Sequence, residues 1–66
     1  MSSSEDIEKV ELLLGFARTY LKHNQLDSAT CAYLNVLVLD AENEEAKEKL
    51  YEITKIKYLS KAVGHS

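Results

Sequence analysis

The sequence predicts an all-α fold, and three observations support that prediction. The chain of 66 residues contains no proline and only two glycines, so little in its composition interrupts long helices. Apolar residues recur three or four positions apart in three stretches, which is the periodicity of amphipathic helices. Each stretch follows a residue that suits a helix start. We therefore predict one small helical domain over 1–66, with helices at 4–23, 26–39 and 43–62.

The first helix is predicted to begin at Ser3 or Ser4, where a serine can cap free backbone N–H groups. Gly15 falls in the middle of this helix, where it either permits a close helix approach or is simply tolerated. The apolar side chains form two rows, so the apolar stripe is wide. The first row is Ile7, Val10, Leu14, Ala17 and Leu21, and the second is Leu13, Phe16 and Tyr20.

The second helix is predicted to be capped by Asn24 and to be unusually apolar. No charged side chain occurs between Asp27 and Asp40. Because a surface helix normally carries charges on one face, we expect this helix to be buried on more than one side, with Cys31 inside. Residues 36–39 would also suit a strand, but a lone strand between helices would have no pairing partner.

The third helix is predicted to begin after Asn43, which suits a cap position. Glutamates are concentrated at its start and lysines toward its end, which is the distribution that the helix dipole favours. Glu45 and Lys49 have the spacing and order of a favourable ion pair. The apolar row of this helix is Ala46, Leu50, Ile53 and then Ile56 or Lys57.

A chain this short is expected to have an incomplete core. A domain of about 60 residues buries only about 60% of its unfolded surface, so its stability is marginal. Cys31 is the only cysteine, which excludes an internal disulfide, and Cys31, His23 and His65 lack the spacing of a zinc site. We therefore expect no metal or other cofactor, and a core completed by a protein partner or by another copy of the chain.

The charge pattern argues against several classes of function. The formal charge is −3 with acidic and basic residues interspersed, so no basic face for nucleic acid is predicted. The longest apolar stretch, near 31–39, is interrupted by Asn35 and is too short for membrane insertion. No signal-peptide pattern is visible, and we expect a cytoplasmic protein. No catalytic constellation stands out, so we expect no enzyme activity.

The block 10–43 resembles a single tetratricopeptide (TPR) repeat, a helical hairpin that binds proteins. Tyr20 and Ala29 match the family pattern outright, and Ala41 replaces its terminating proline. The helix at 43–62 would correspond to the solvating helix that follows a final repeat. The resemblance thus implies a TPR-like helical hairpin with a third packing helix. The positions that carry it are Leu13, Phe16, Ala17, Tyr20, Ala29, Tyr33, Val36 and Ala41.

The same resemblance implies a binding groove along the first helix, at Glu11, Leu14, Arg18, Leu21 and Lys22. Arg18 stands where some family members use an asparagine to clamp a partner's terminal carboxylate, and Leu14 lies beside it. A mostly apolar groove for a partner helix or peptide fits this pattern better than a clamp. The alternative is that Arg18 and Lys22 are solvated charges at a helix end.

The predicted function is a protein–protein interaction module, a small adaptor or chaperone that buries apolar anchors against a partner helix. One alternative is a small chaperone of the type III secretion kind, which is similar in size and in its apolar second helix. Another is a microtubule-interacting and trafficking (MIT) domain, which this chain resembles at Ala29 and Tyr33. A third is a purely structural homo-oligomer. The candidate protein-binding residues are Leu14, Arg18, Leu21, Leu34, Val38 and Tyr58.

Overall fold

The computed structural model describes the backbone of residues 4–64 and the side chains of residues 4–59. Three helices follow one another along this part of the chain: α1 (Ser4–Lys22), α2 (Leu26–Leu39) and α3 (Glu44–Gly64). The all-α fold class is therefore confirmed.

The ends of α2 and α3 bear on two predictions made from the sequence. α2 continues to Leu39, so residues 36–39 are helical and the strand alternative is wrong. α3 runs to Gly64, two residues beyond its predicted end. Ser3, a candidate cap, and His65, a candidate ligand, lie outside the described residues.

Asn24 forms the turn between α1 and α2, in a role that differs from the predicted one. Its φ of 61° is in the left-handed region, which asparagine adopts more readily than most residues. Its N–H donates to the carbonyl of Leu21 (3.0 Å), and the N–H of Gln25 donates to that of Tyr20 (2.8 Å). These two bonds satisfy the last carbonyls of α1 in a Schellman arrangement. Gln25 is the residue that precedes α2, and no side chain caps that helix, so the predicted cap is wrong.

Asn43, in contrast, caps α3 as predicted. Its side-chain oxygen accepts a hydrogen bond from the N–H of Ala46 (2.9 Å), and its amide nitrogen donates to the carboxylate of Asp40 (3.3 Å). The N–H of Asp40 donates to the carbonyl of Val36 (2.7 Å) and closes the end of α2. The connection between the two helices is short and fixed by these bonds, which turn α3 back against α2.

The core lies mainly between α1 and α2, which pack together more extensively than α2 and α3 do. Ala17 and Ala29 are completely buried, and small side chains at such positions let two helix backbones approach closely. Within the described part of α3, only Ala46 and Ile53 are buried, so the third helix is attached more lightly. The buried residues are Val10, Leu14, Ala17, Ala29, Ala32, Tyr33, Val36, Ala46 and Ile53.

Gly15 lies on the exposed side of α1. No heavy atom lies within 4 Å of the position that a Cβ would occupy there. The carbonyl of Gly15 accepts a hydrogen bond from the hydroxyl of Thr19, four residues later in the same helix (3.0 Å). Gly15 therefore does not permit a close helix approach, and α1 simply tolerates it.

Candidate protein-binding surface

A groove with a volume of about 400 Å³ is lined entirely by residues of α1 and α2, and we call it the α1–α2 groove. Asp27 is the one charged residue in its lining, and this carboxylate pairs with the ammonium group of Lys57 from α3. The rest of the lining is apolar or uncharged. The lining residues are Leu13, Phe16, Tyr20, Asp27, Ser28, Cys31, Ala32 and Asn35.

The wide apolar stripe of α1 explains this groove. Leu14 and Ala17, in the first row, are buried in the core, whereas Phe16 and Tyr20, in the second row, remain 56% and 37% exposed. Residues three or four positions apart share one helix face, so one helix can carry a buried row and an exposed row side by side. α1 therefore keeps an apolar surface after the chain has folded.

The exposed face of α2 extends the same surface. Leu34 and Val38 are 50% and 80% exposed, and Cys31, which lines the groove, is exposed as well. Helical spacing makes Leu34 a neighbour of both Cys31 and Val38. The charge-free stretch between Asp27 and Asp40 means that no charged side chain of α2 interrupts this face. A contiguous exposed apolar face of this kind is typical of interaction sites.

α2 packs against both α1 and α3, as its lack of charge predicts, but the expectation that Cys31 lies inside is wrong, because this residue is exposed. α1 and α3 cover the part of the helix that bears Ala29, Tyr33 and Val36, all of which are completely buried. Two neighbouring helices leave the remaining face of α2 open, and Cys31 lies on that face. A further packing element would be needed to bury the whole helix.

A second cavity, of about 420 Å³, lies where α1 and α3 approach each other beside Tyr33 of α2, and we call it the α1–α3 cleft. In it, Arg18 of α1 binds Glu45 of α3 through two hydrogen bonds, Nε to Oε2 at 2.7 Å and Nη2 to Oε1 at 2.6 Å. This paired geometry is the strongest arrangement for a guanidinium and a carboxylate. The lining residues are Arg18, Leu21, Lys22, Tyr33, Glu45 and Lys49.

The ion pair in the cleft differs from the one that helical spacing predicts. Glu45 binds Arg18, while the ammonium nitrogen of Lys49 lies 3.8 Å from a carboxylate oxygen of Glu52. The hydrogen bonds from Arg18 hold the pKa of the Glu45 carboxyl below its ordinary value, and the same bonds raise the pKa of Arg18. Arg18 is therefore not merely a solvated charge at a helix end, because it joins α1 to α3.

Tyr33 is the largest completely buried side chain, and its hydroxyl group has no hydrogen-bond partner among the residues that the structure describes. Burial raises the pKa of this hydroxyl, and the negative charge of Glu45 raises it further. A buried polar group without a partner is uncommon in folded proteins and costs free energy.

The predicted protein-binding residues do not form one surface. Leu14 is 5% exposed and belongs to the core, so it offers a partner almost no contact area. Arg18 and Leu21 line the α1–α3 cleft, whereas Leu34 and Val38 lie on the exposed face of α2. The structure thus divides these five residues among the core, the cleft and the outer face.

Tyr58, the sixth predicted contact, is 72% exposed on α3 and lines neither the groove nor the cleft. Sequence analysis named Leu13, Phe16 and Tyr20 only as the second apolar row and as positions of the TPR resemblance, and so missed them as groove residues. The signal was present in the sequence, since an apolar stripe with two rows is wider than one neighbouring helix can cover.

Comparisons with known proteins identify no relative of this chain: no family model, curated protein or solved structure matches it significantly. Among residues 4–64, no helix is both long enough and apolar enough to cross a membrane. Over the same residues, no group of three or more histidine, cysteine, aspartate or glutamate side chains is placed to hold a metal ion.

Proposed function

We propose that the chain is a non-enzymatic protein-interaction module, a small TPR-like adaptor or chaperone whose α1–α2 groove receives an amphipathic helix of a partner protein. The observation that carries this proposal is the apolar groove itself, which lies open beside the charge-free face of α2. Exposed apolar surface that is contiguous is typical of interaction sites.

The chemistry of the groove favours a helix over other occupants. Its walls are two helices, and its apolar residues Leu13, Phe16 and Tyr20 repeat every three or four positions. A partner helix with apolar residues at the same spacing would lay its apolar face between them, as in other helix-in-groove complexes. Each Å² of apolar surface that is removed from water contributes about 25 cal/mol, so Phe16, at 56% exposure, is the natural anchor.

The substitution Phe16→Glu tests the proposal, because it places a charge in the groove without entering the core. The matched control is Tyr51→Glu, at a side chain that is 67% exposed on α3 and lies outside the groove. We expect the wild type and the control to retain the same co-purifying protein, and Phe16→Glu to lose it, while circular dichroism shows equal helicity. Equal retention by all three proteins would contradict the proposed site.

Cys31 provides a second readout at the site itself. It is the only cysteine of the chain, it is exposed, and it lines the groove. A partner that occupies the groove should slow alkylation of this thiol several-fold, whereas a partner bound elsewhere should leave the rate unchanged. Alkylation therefore reports occupancy directly, independently of any substitution.

A second copy of the chain is the competing occupant, since a two-fold dimer could cover the same surface. Light scattering of the purified protein over a range of concentrations separates the two cases. A dimer that protects Cys31 from alkylation and dissociates in the Phe16→Glu variant would assign the groove to self-association instead of a partner helix.

A further inference from the structure

The α1–α3 cleft holds a hydrogen-bond donor that the fold leaves unused. The hydroxyl of Tyr33 is buried in a side chain with 0% exposure, and no acceptor within the described part of the protein binds it. Tyr33 also lines the cleft, so a group bound there would be adjacent to this ring. A buried hydroxyl without a partner costs free energy, and an acceptor bound in the cleft would remove that cost.

The charges around the cleft are predominantly positive. Arg18, Lys22 and Lys49 contribute three cationic groups, while Glu45 in the lining and Glu52, 3.8 Å from Lys49, contribute two carboxylates, which leaves one net positive charge at the cleft. This excess is local, because the whole chain has a formal charge of −3. The cleft is therefore suited to an anion.

Two of the three cations are available to a ligand. Lys22 forms no ion pair with any residue that the structure describes. Lys49 has only a long contact of 3.8 Å with Glu52, and an exposed pair of this type is weak. Arg18 is held in place by Glu45, so it contributes a fixed positive charge while Lys22 and Lys49 can move toward a ligand.

We propose that the α1–α3 cleft binds a phosphate dianion, either free or as the phosphoryl group of a protein segment, with the hydroxyl of Tyr33 and the ammonium groups of Lys22 and Lys49 as donors. A phosphate group carries a charge of about −1.5 to −2 at pH 7 and offers three strong acceptor oxygens. Three acceptor oxygens can serve all three donors at once, whereas a carboxylate offers only two oxygens.

Leu21 places an apolar side chain among the charged groups of the cleft. Electrostatic attraction is stronger where apolar groups keep water away. The cleft shares no lining residue with the α1–α2 groove, so this proposal does not depend on the proposed function.

The direct test is a titration of the full chain, with each ligand followed by the backbone amide signals of residues 22, 33 and 49. The ligands are inorganic phosphate, a blocked alanine peptide with one central phosphoserine, and the same peptide with glutamate at that position. We expect both phosphate ligands to shift these signals and to bind at least several-fold more tightly than the glutamate peptide. Binding should weaken below about pH 6, where phosphate takes up its second proton.

The substitution Tyr33→Phe removes the hydroxyl and keeps the ring, and it should weaken phosphate binding roughly tenfold, because a hydrogen bond to a charged group is lost. Lys22→Gln should weaken binding by up to about fivefold, which is typical of an exposed charge. The matched controls are Tyr20→Phe in the α1–α2 groove and Lys55→Gln, whose ammonium group lies 5.6 Å from the ring centre of Tyr51. Both controls should bind as the wild type does.

The free protein supplies an independent readout. Because the Tyr33 hydroxyl has no partner, Tyr33→Phe should leave the urea midpoint of the free chain unchanged or raise it. Absence of specific shifts with both phosphate ligands would overturn the proposal, as would equally tight binding by the glutamate peptide or by Tyr33→Phe. A lowered midpoint would overturn the proposal as well, because it would show that the hydroxyl already has a structural partner. Tighter binding of the phosphopeptide than of inorganic phosphate would assign the site to a phosphorylated protein, and equal affinity would assign it to the free ion.

Discussion

Replacing Ile53 with alanine measures how firmly α3 is attached to the helical hairpin. Ile53 is 2% exposed, and it is the only large side chain of α3 that is buried among the residues whose side chains are described. The other buried residue of that helix, Ala46, contributes a single methyl group. Leu50 also packs against the core but is only partly buried, so Ile53 is the main apolar anchor of the third helix.

The expected magnitude follows from the atoms removed. Ile→Ala deletes three buried carbon atoms, and at about 0.8 kcal/mol for each buried methylene the transfer term is about 2.4 kcal/mol. A residual cavity adds to this, so we expect a loss of about 3 kcal/mol, within the usual range for such substitutions. A domain of this size has a total stability of roughly 3–10 kcal/mol, so the variant should be close to unfolding.

Urea denaturation followed by circular dichroism measures this loss. The matched control is Ile56→Ala, three residues later on the same helix at a side chain that is 47% exposed. We expect the control to lose about 1 kcal/mol, since only part of its surface is buried and no cavity forms. A loss below about 1 kcal/mol for Ile53→Ala, or equal losses for both variants, would refute the packing of α3 described here.

Three further predictions concern single residues. Gly15→Ala should raise stability by about 1 kcal/mol in thermal denaturation, because a mid-helix glycine is costly and the added Cβ meets open space; a loss would show that the backbone is tightly packed there. Asn43→Ala should lower stability by about 1 kcal/mol through loss of the α3 cap, and an unchanged urea midpoint would contradict that role. Arg18 lowers the pKa of the Glu45 carboxyl in the folded state below its unfolded value of about 4.5. The ion pair therefore stabilises the protein fully above that pH, and the stabilisation is lost as the pH falls through the lower pKa of the folded state. The urea midpoint of the wild type should therefore fall more steeply with acidification than that of Glu45→Gln, and parallel profiles would argue against the pair.

The two asparagines at the helix connections show where sequence patterns reach their limit. Asn24 and Asn43 both precede an apolar helical stretch, and both suit a cap position. Only Asn43 accepts a hydrogen bond from a helix N–H, as a cap does, while Asn24 adopts a left-handed conformation and ends α1. Asparagine is favoured in both roles, so the local sequence could not choose between them.

The ion pairs show the same limit for side chains. Spacing along α3 predicts that Glu45 pairs with Lys49, because residues four apart on a helix are neighbours. The guanidinium of Arg18, distant in sequence, instead takes both carboxylate oxygens of Glu45. A planar guanidinium that can form two parallel hydrogen bonds is a better partner than a single ammonium group, but only the fold brings it near.

The sequence by itself determined that this protein is all-α, because helical periodicity and the lack of proline are local properties that each segment carries within it. It also determined that apolar surface exceeds what a short chain can bury, since that follows from length and composition. Only the tertiary structure decided which of that surface remains open. Phe16 and Cys31 are exposed, whereas Leu14 and Tyr33 are buried. This difference depends on which face of each helix is covered by its neighbours, and the way in which the helices cross determines that face.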